Sequence, residues 1–529
     1  MRVRWADQKR LRVGLRGAAF ACLCIATLTV GQQAAWAQSS NPPPPLTDEQ
    51  RQRMERQLQE LLSMRKDFDR RIDAIEAELH GRPVPAQQAT AQPQSPSQPA
   101  LATAAANASL AGAETQTASL ASPPPATPSP TKWGGFEPGK GVILMRSDIG
   151  EVDLGMVSYL RYLNQHGMDD TYTSVFGQHF DVTPREDFQL AKVQMTLRGW
   201  LFDPRFGFNS YVWTSQASQG LGAQVVVAGN INWTFSPALK VFFGIHSLPS
   251  TRSTNRTFPY WLRNDNRPIA DEFFRGSYTQ GVWVEGNIAR GLSYRAMIAN
   301  NLSALGVSAR QLDAKPTTFS AALTWAPTTG EFGPGNGYGD FEEHQKVATL
   351  LGAHYTRSTE DAQSQPGTDS IENTQLRLSD GTLLFSDTAF NPPGKITQAL
   401  YQMMSLDAAV KYKGFALEAE FYARWLNHFK FEGNIPRTSM FDDGVTVQAS
   451  AMILPKTLQF YVSGSKIYGE FGNPYDLGVG LNYFPLKRRD LRVNMMGLWV
   501  KNSPVGYTAY PVPVGGNGFT FVTDFSLAF

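Results

Sequence analysis

Five arginines (Arg252, Arg256, Arg263, Arg267 and Arg275) fall within residues 247–278, where the acids are Asp265, Asp271 and Glu272. Five basic against three acidic residues leaves this stretch at +2. A guanidinium presents a planar fork of donors that meets carboxylate or phosphate oxygens two at a time. The stretch therefore suits the capture of small anions. The competing reading is structural, with the arginines pairing with those acids and pinning the segment to a wall. Inside the same stretch, Phe258-Pro259-Tyr260-Trp261 offers flat apolar faces, and Tyr260 and Trp261 are the residues suited to stacking on a sugar ring.

Covalent and metal chemistry find little support. Gly134-x4-Gly139-Lys140 imitates a phosphate-cradling loop, but Gly141 stands where a magnesium-binding Ser or Thr is required, and a strand pattern follows in place of a helix. The seven histidines (His80, His166, His179, His246, His344, His354, His428) show no HExxH and no pair at ligand spacing. No G-x-S-x-G elbow occurs. The two cysteines, Cys22 and Cys24, lie in the N-terminal apolar run and leave with it, which excludes disulfides and thiol catalysis from the mature chain. No catalytic residue, metal or cofactor is expected.

The elements that would position these residues fall into segments. Residues 1–37 read as a signal peptide: a basic stretch to Arg16, an apolar run from Gly17 to Val30, and small residues in Ala35-Trp36-Ala37 before cleavage at Gln38. The whole chain holds 48 basic and 46 acidic residues; losing Arg2, Arg4, Lys9, Arg10, Arg12 and Arg16 with Asp7 leaves 42 against 45, a net charge of −3. Nucleic acid is not an expected partner on that balance. A proline-rich lead, 38–46, precedes a helix over 47–81, with a capping box at Thr47-Asp48-Glu49-Gln50 and a stop at Gly81 and Pro83. Its apolar residues (Met54, Leu58, Leu61, Phe68, Ile72, Ile75, Leu79) recur about every 3.5 residues, the period of a coiled coil. Residues 82–132 are nearly uncharged and rich in Ala, Pro, Gln, Ser and Thr, the composition of a disordered linker.

From 133 to 529 the texture is two-residue alternation. Phe415, Leu417, Ala419, Phe421, Ala423 and Trp425 share one face while Glu418, Glu420 and Arg424 share the other; Phe519, Phe521, Phe525, Leu527 and Phe529 repeat the pattern at the C-terminus. Tight turns (203–204, 236–237, 289–291, 413–414, 454–456) alternate with long polar loops (164–188, 247–278, 301–316, 358–401, 428–443). Short turns at one end and long loops at the other define an all-β, transmembrane antiparallel barrel. Runs at 151–163, 189–202, 206–215, 224–235, 239–246, 279–288, 292–300 and 317–326 give eight strands. Those at 346–357, 402–412, 415–427, 444–454, 458–467, 475–484, 491–502 and 518–529 give eight more, about 16 in all. Such a barrel encloses an aqueous channel. The connection 327–345 is long for a short-turn position. Trp200, Trp213, Trp233, Trp325, Trp425 and Trp499 are expected in the girdles at the membrane interfaces.

The terminal Phe529, on its alternating aromatic strand, resembles the assembly signal of outer-membrane barrels. Phe136-Glu137-Pro138-Gly139-Lys140-Gly141, Arg161-Tyr162-Leu163-Asn164-Gln165 and Ala270-Asp271-Glu272-Phe273-Phe274-Arg275 resemble the phosphate-selective porin O/P superfamily, and the coiled coil is similar to that of trimeric dicarboxylate porins. The resemblance implies a trimeric channel for small anions in the outer membrane of a Gram-negative bacterium, with its stalk in the periplasm. Its partners would be small solutes, membrane lipid and the barrel assembly machinery. It also implies that the third outer loop, 247–278, enters the lumen, so the five arginines would form a constriction. Lys192, Arg198, Lys240 and Arg295, on the polar faces of nearby strands, would line the wall. Acidic outer loops weigh the other way: loop 164–188 sets Arg185 against five acids, and 358–401 sets two basic residues against six. A carbohydrate porin and, more remotely, a barrel enzyme or an envelope tether are the competing readings.

Overall fold

The computed structural model describes residues 134–137, 140–215, 224–304, 311, 315–365, 376–386, 390, 394–506 and 510–529. The expected signal peptide, proline-rich lead, coiled coil and linker lie outside the described residues. Sixteen strands form the barrel: β1 (Gly150–Met168), β2 (Glu186–Leu201), β3 (Phe206–Ser215), β4 (Gln224–Ser236), β5 (Leu239–Ser247), β6 (Tyr278–Ala289), β7 (Leu292–Ala299) and β8 (Thr318–Trp325). The rest are β9 (Ala348–Asp361), β10 (Gly394–Tyr412), β11 (Phe415–Gly433), β12 (Met440–Leu454), β13 (Leu458–Tyr468), β14 (Tyr475–Tyr483), β15 (Leu491–Lys501) and β16 (Gly518–Ala528). Each pairs antiparallel with its sequence neighbour, and β16 pairs back onto β1 from Gly518↔Met168 to Ala528↔Val157. The barrel is closed, which leaves no edge in lipid.

The C-terminal residue completes the seam: the Met156 and Phe529 amides each donate to the other's carbonyl, at 2.8 and 2.9 Å. Beyond it a short strand, Gly141–Ser147, pairs with the start of β1. This strand, and no helix, follows the glycine-rich stretch that imitates a phosphate loop. Short turns sit at one end, and the turn joining β10 and β11 places both Lys413 (φ 47°) and Gly414 (φ 86°) in the left-handed region, as two-residue hairpins require. By the rule for such barrels this end faces the periplasm.

Period-two alternation sorts the side chains as expected. Phe415, Leu417, Phe421 and Trp425 are exposed on the outer wall, and Glu418, Glu420 and Arg424 are buried inside. Likewise Phe519, Phe521 and Phe525 point out while Thr520 and Asp524 point in. No helix among the described residues is long and apolar enough to cross a membrane.

Three details differ from the sequence reading. Several strands run further into the outer loops: β1 reaches Met168, β10 starts at Gly394 and β11 ends at Gly433. At about 3.3 Å per residue, the 19 residues of β10 span roughly 60 Å, more than twice the apolar band of such barrels. Above the lipid both faces meet water, so the hydrophobic alternation that marks a strand fades while the ladder continues. Second, Trp213 is buried inside the lumen and Trp200 lines a lumenal cavity, so neither belongs to an interfacial girdle; Trp325, Trp425 and Trp499 are exposed on the outer wall. Third, the long connection from β8 to β9 is not a surface turn. Residues 337–341 are all buried.

Candidate functional site

The loop between β5 and β6 folds into the lumen, closed at its neck by the Leu248 amide donating to the Ser277 carbonyl at 3.0 Å. It carries a short helix, α1 (Ile269–Phe274), every residue of which is buried. The reason is compositional. One side of the loop is apolar, and Phe274 stacks on Tyr422 of β11 with ring centres 5.3 Å apart, while the Tyr401 hydroxyl donates to the Phe274 carbonyl at 2.5 Å. Further along, Phe258, Trp261 and Leu262 pack among Tyr159, Tyr211, Trp213 and Tyr461 of the wall.

The five loop arginines come together in this fold, and each meets a carboxylate. Arg275 forms a two-pronged pair with Glu272, at 2.8 and 2.6 Å, and Arg267 lies 3.5 Å from the same residue and 3.8 Å from Asp271. The other three reach acids of the barrel wall. Arg252 pairs with Glu418 at 3.3 Å, and its amide donates to Glu420 at 3.0 Å. Arg256 pairs with Glu285 at 2.8 Å, and Arg263 pairs with Asp476 and donates to the Ser463 carbonyl at 2.8 Å. Four of the five are at most 5% exposed. The loop's excess charge is thus met by acids from β6, β11 and β14.

Of the expected wall residues, Lys192 is buried against Asp265 at 2.7 Å, with its ammonium 5.0 Å from the Phe258 ring centre. Burial pushes the Asp265 carboxyl up, and Lys192 opposes that shift. Arg198, Lys240 and Arg295 instead share one cavity of about 200 Å³ at the periplasmic ends of β1–β7. Lys140 and the acids Glu151, Asp153 and Glu285 complete its charged lining. Arg198 also borders a second space of about 80 Å³, with Gln194, Thr196, Tyr260 and Arg489. Glu151 holds Lys140 at 2.7 Å and Arg146 at 3.0 Å, Glu285 holds Arg256 and Arg295 each at 2.8 Å, and Asp490 pairs with Arg488, whereas Asp153 leaves its Oδ1 without a hydrogen-bond partner.

Of the two stacking candidates, Trp261 is buried, with the Arg267 guanidinium 4.2 Å over its ring and its indole N–H donating to Thr257 Oγ1 at 2.9 Å. Tyr260 remains at the cavity wall. Two basic residues were not legible as part of the site. Arg489, in the turn after β14, and Arg492, at the start of β15, approach the loop from below; Arg492 donates to the Trp261 carbonyl at 2.6 Å. Both lie outside 247–278 and outside the strand residues expected to line the wall. The inward position of Glu418 and Glu420 was legible, and two buried acids on one strand face were the signal for cations opposite.

The buried pairing has a measurable consequence. Arg263→Gln would leave Asp476, which has no exposed side chain, without its cation. Removing one member of a buried pair costs about 3–5 kcal/mol. The variant barrel is expected to lose its heat-resistant migration in detergent at a lower temperature than wild type, while an unchanged transition would mean that the pair is not a structural pin.

No family model and no curated protein matches the chain. Among solved structures, it is similar to the outer-membrane expressed OmpT of Vibrio cholerae, at 11% identity and TM-score 0.46 over 73% of this chain and 100% of that one. It is also similar to an anion-selective porin from Comamonas acidovorans, at 12% identity and TM-score 0.43 over 72% of this chain and 100% of that one. A third is the outer membrane channel DcaP of Acinetobacter baumannii, at 10% identity and TM-score 0.43 over 72% and 97%. These likenesses concern the course of the barrel; what passes through it is argued from the residues of this chain.

Proposed function

We propose that this chain is an outer-membrane porin through which small solutes diffuse passively, with a preference for anions such as phosphate or carboxylates. The observation that carries the reading is the placement of Arg198 where two lumenal cavities meet, with Arg489 in one and Lys240 and Arg295 in the other. Cations on low-dielectric walls raise the local concentration of anions. The phosphate-selective porin O/P resemblance is the finer form of this proposal, and the fork geometry of arginine supports it. A homotrimer joined through the coil at 47–81, a periplasmic stalk, and recognition of Phe529 by the assembly machinery belong to the same reading. The sugar alternative rests on Tyr260, which borders the cavity with Arg489 5.0 Å over its ring, whereas Trp261 is buried under Arg267.

The reversal potential in planar bilayers under a potassium chloride gradient tests the proposal. The expected sign is that of chloride permeation, with phosphate or a dicarboxylate reducing chloride current more than a neutral sugar does. A potassium-selective potential would refute the anion preference, and absence of any current would refute the porin.

A further inference from the structure

The connection from β8 to β9 is built as an inward wedge. Phe332, Tyr338 and Phe341 are buried, although they sit in a run dominated by glycine, proline and acids. The Tyr338 amide donates to the Tyr260 carbonyl of the infolded outer loop at 2.8 Å, and the Gly339 amide donates to Glu418 at 3.1 Å. Lys411 of β10 donates from below to the Phe332 and Gly337 carbonyls, at 2.9 and 2.7 Å. Backbone groups that would be costly to bury unpaired are therefore satisfied. Arg252 ties the two loops together: its guanidinium lies 4.2 Å over the Tyr338 ring and donates to the Asn336 carbonyl at 3.2 Å.

The wedge also reaches across the short-turn end. Phe341 packs edge-on against Phe484 at the end of β14, at 4.8 Å, and Glu342 lies 3.5 Å from Arg489. Asp340, with no exposed side chain, fixes its base by accepting from the His344 amide at 3.0 Å and the Gly414 amide at 2.8 Å. The contacts therefore run from β10 to the turn after β14. The larger cavity lies against β1–β7, on the side the wedge leaves uncovered.

We propose that residues 326–347 form a second constriction element, which closes the β8–β14 side of the lumen from below and confines solute exit to the side lined by β1–β7. This rests on the porin reading and goes beyond it, because it assigns the passage to one side of the barrel and gives a periplasmic connection a share in setting its width. An outer loop alone would leave the space beneath it open. Here the two loops meet back to back, and the narrow zone extends toward the periplasm.

Replacing 330–343 with a short Gly/Ser linker in the full chain tests it. Single-channel conductance is expected to rise at least about twofold and the exclusion limit for neutral polymers to increase, while the anion preference keeps its sign because Arg198 and Lys240 remain. Should that variant fail to assemble, Asp340→Ala loosens the wedge at its base and should give noisier, larger open-channel current. A conducting, heat-modifiable variant of either kind with wild-type conductance and noise would overturn the proposal. Absence of current in the wild type itself would instead remove the porin reading and the inference with it.

Discussion

Deleting residues 518–529 is expected to abolish the folded barrel. β16 has ten register partners on β15 and ten on β1, so its loss opens two facing edges along the whole seam. Each unpaired backbone group in hydrocarbon costs several kcal/mol, far beyond the marginal stability of a folded chain. The deletion also removes Asp524, whose carboxylate receives the Arg161 guanidinium at 2.7 and 3.1 Å in the buried lumen. That leaves a buried cation without its partner. No heat-modifiable species should appear in outer-membrane fractions, and the product should be degraded in the periplasm. Wild-type levels of a folded truncated protein would refute a barrel closed by β16. Phe529→Ala in the otherwise full chain separates closure from recognition, because it keeps the ladder and removes only the terminal ring.

The strands were legible because lipid and lumen demand opposite side chains, and a period of two records that demand residue by residue. β11 and β16 show it without ambiguity. The same logic fails above the membrane, where water touches both faces, and so the outer ends of β1, β10 and β11 read as loop. The loop arginines were legible as a cluster, but their partners were not. Arg252 and Glu418 are 166 residues apart, and Arg263 and Asp476 are 213 apart. Only closure of the barrel brings them within reach. The unusual length of 327–345 was visible; that its aromatics turn inward depends on Lys411 and Glu418, which a local reading cannot place.

This pairing moves the expected seat of selectivity from the five loop arginines to the cations at the cavities. Replacing Arg198 and Arg489 together with Gln is expected to lower the anion-to-cation permeability ratio by roughly three- to tenfold. The size follows from charge alone. A unit charge about 6 Å from a passing ion in water is worth about 0.7 kcal/mol, favourable for the anion and unfavourable for the cation, so losing one such charge shifts the ratio by about 1.4 kcal/mol, a factor of about ten. Arg489 adds less, because Glu342 lies 3.5 Å from it. At 0.1 M salt the Debye length of about 10 Å nearly halves that energy, which sets the lower end. The shift should therefore be largest in dilute salt and shrink toward 1 M. Arg263→Gln serves as the contrast: its charge is already matched by Asp476, so any barrel that survives should hold nearly the wild-type ratio while losing thermal stability. A double variant with an unchanged reversal potential would show that ions do not pass Arg198. A large ratio change in Arg263→Gln would return the constriction to the loop itself.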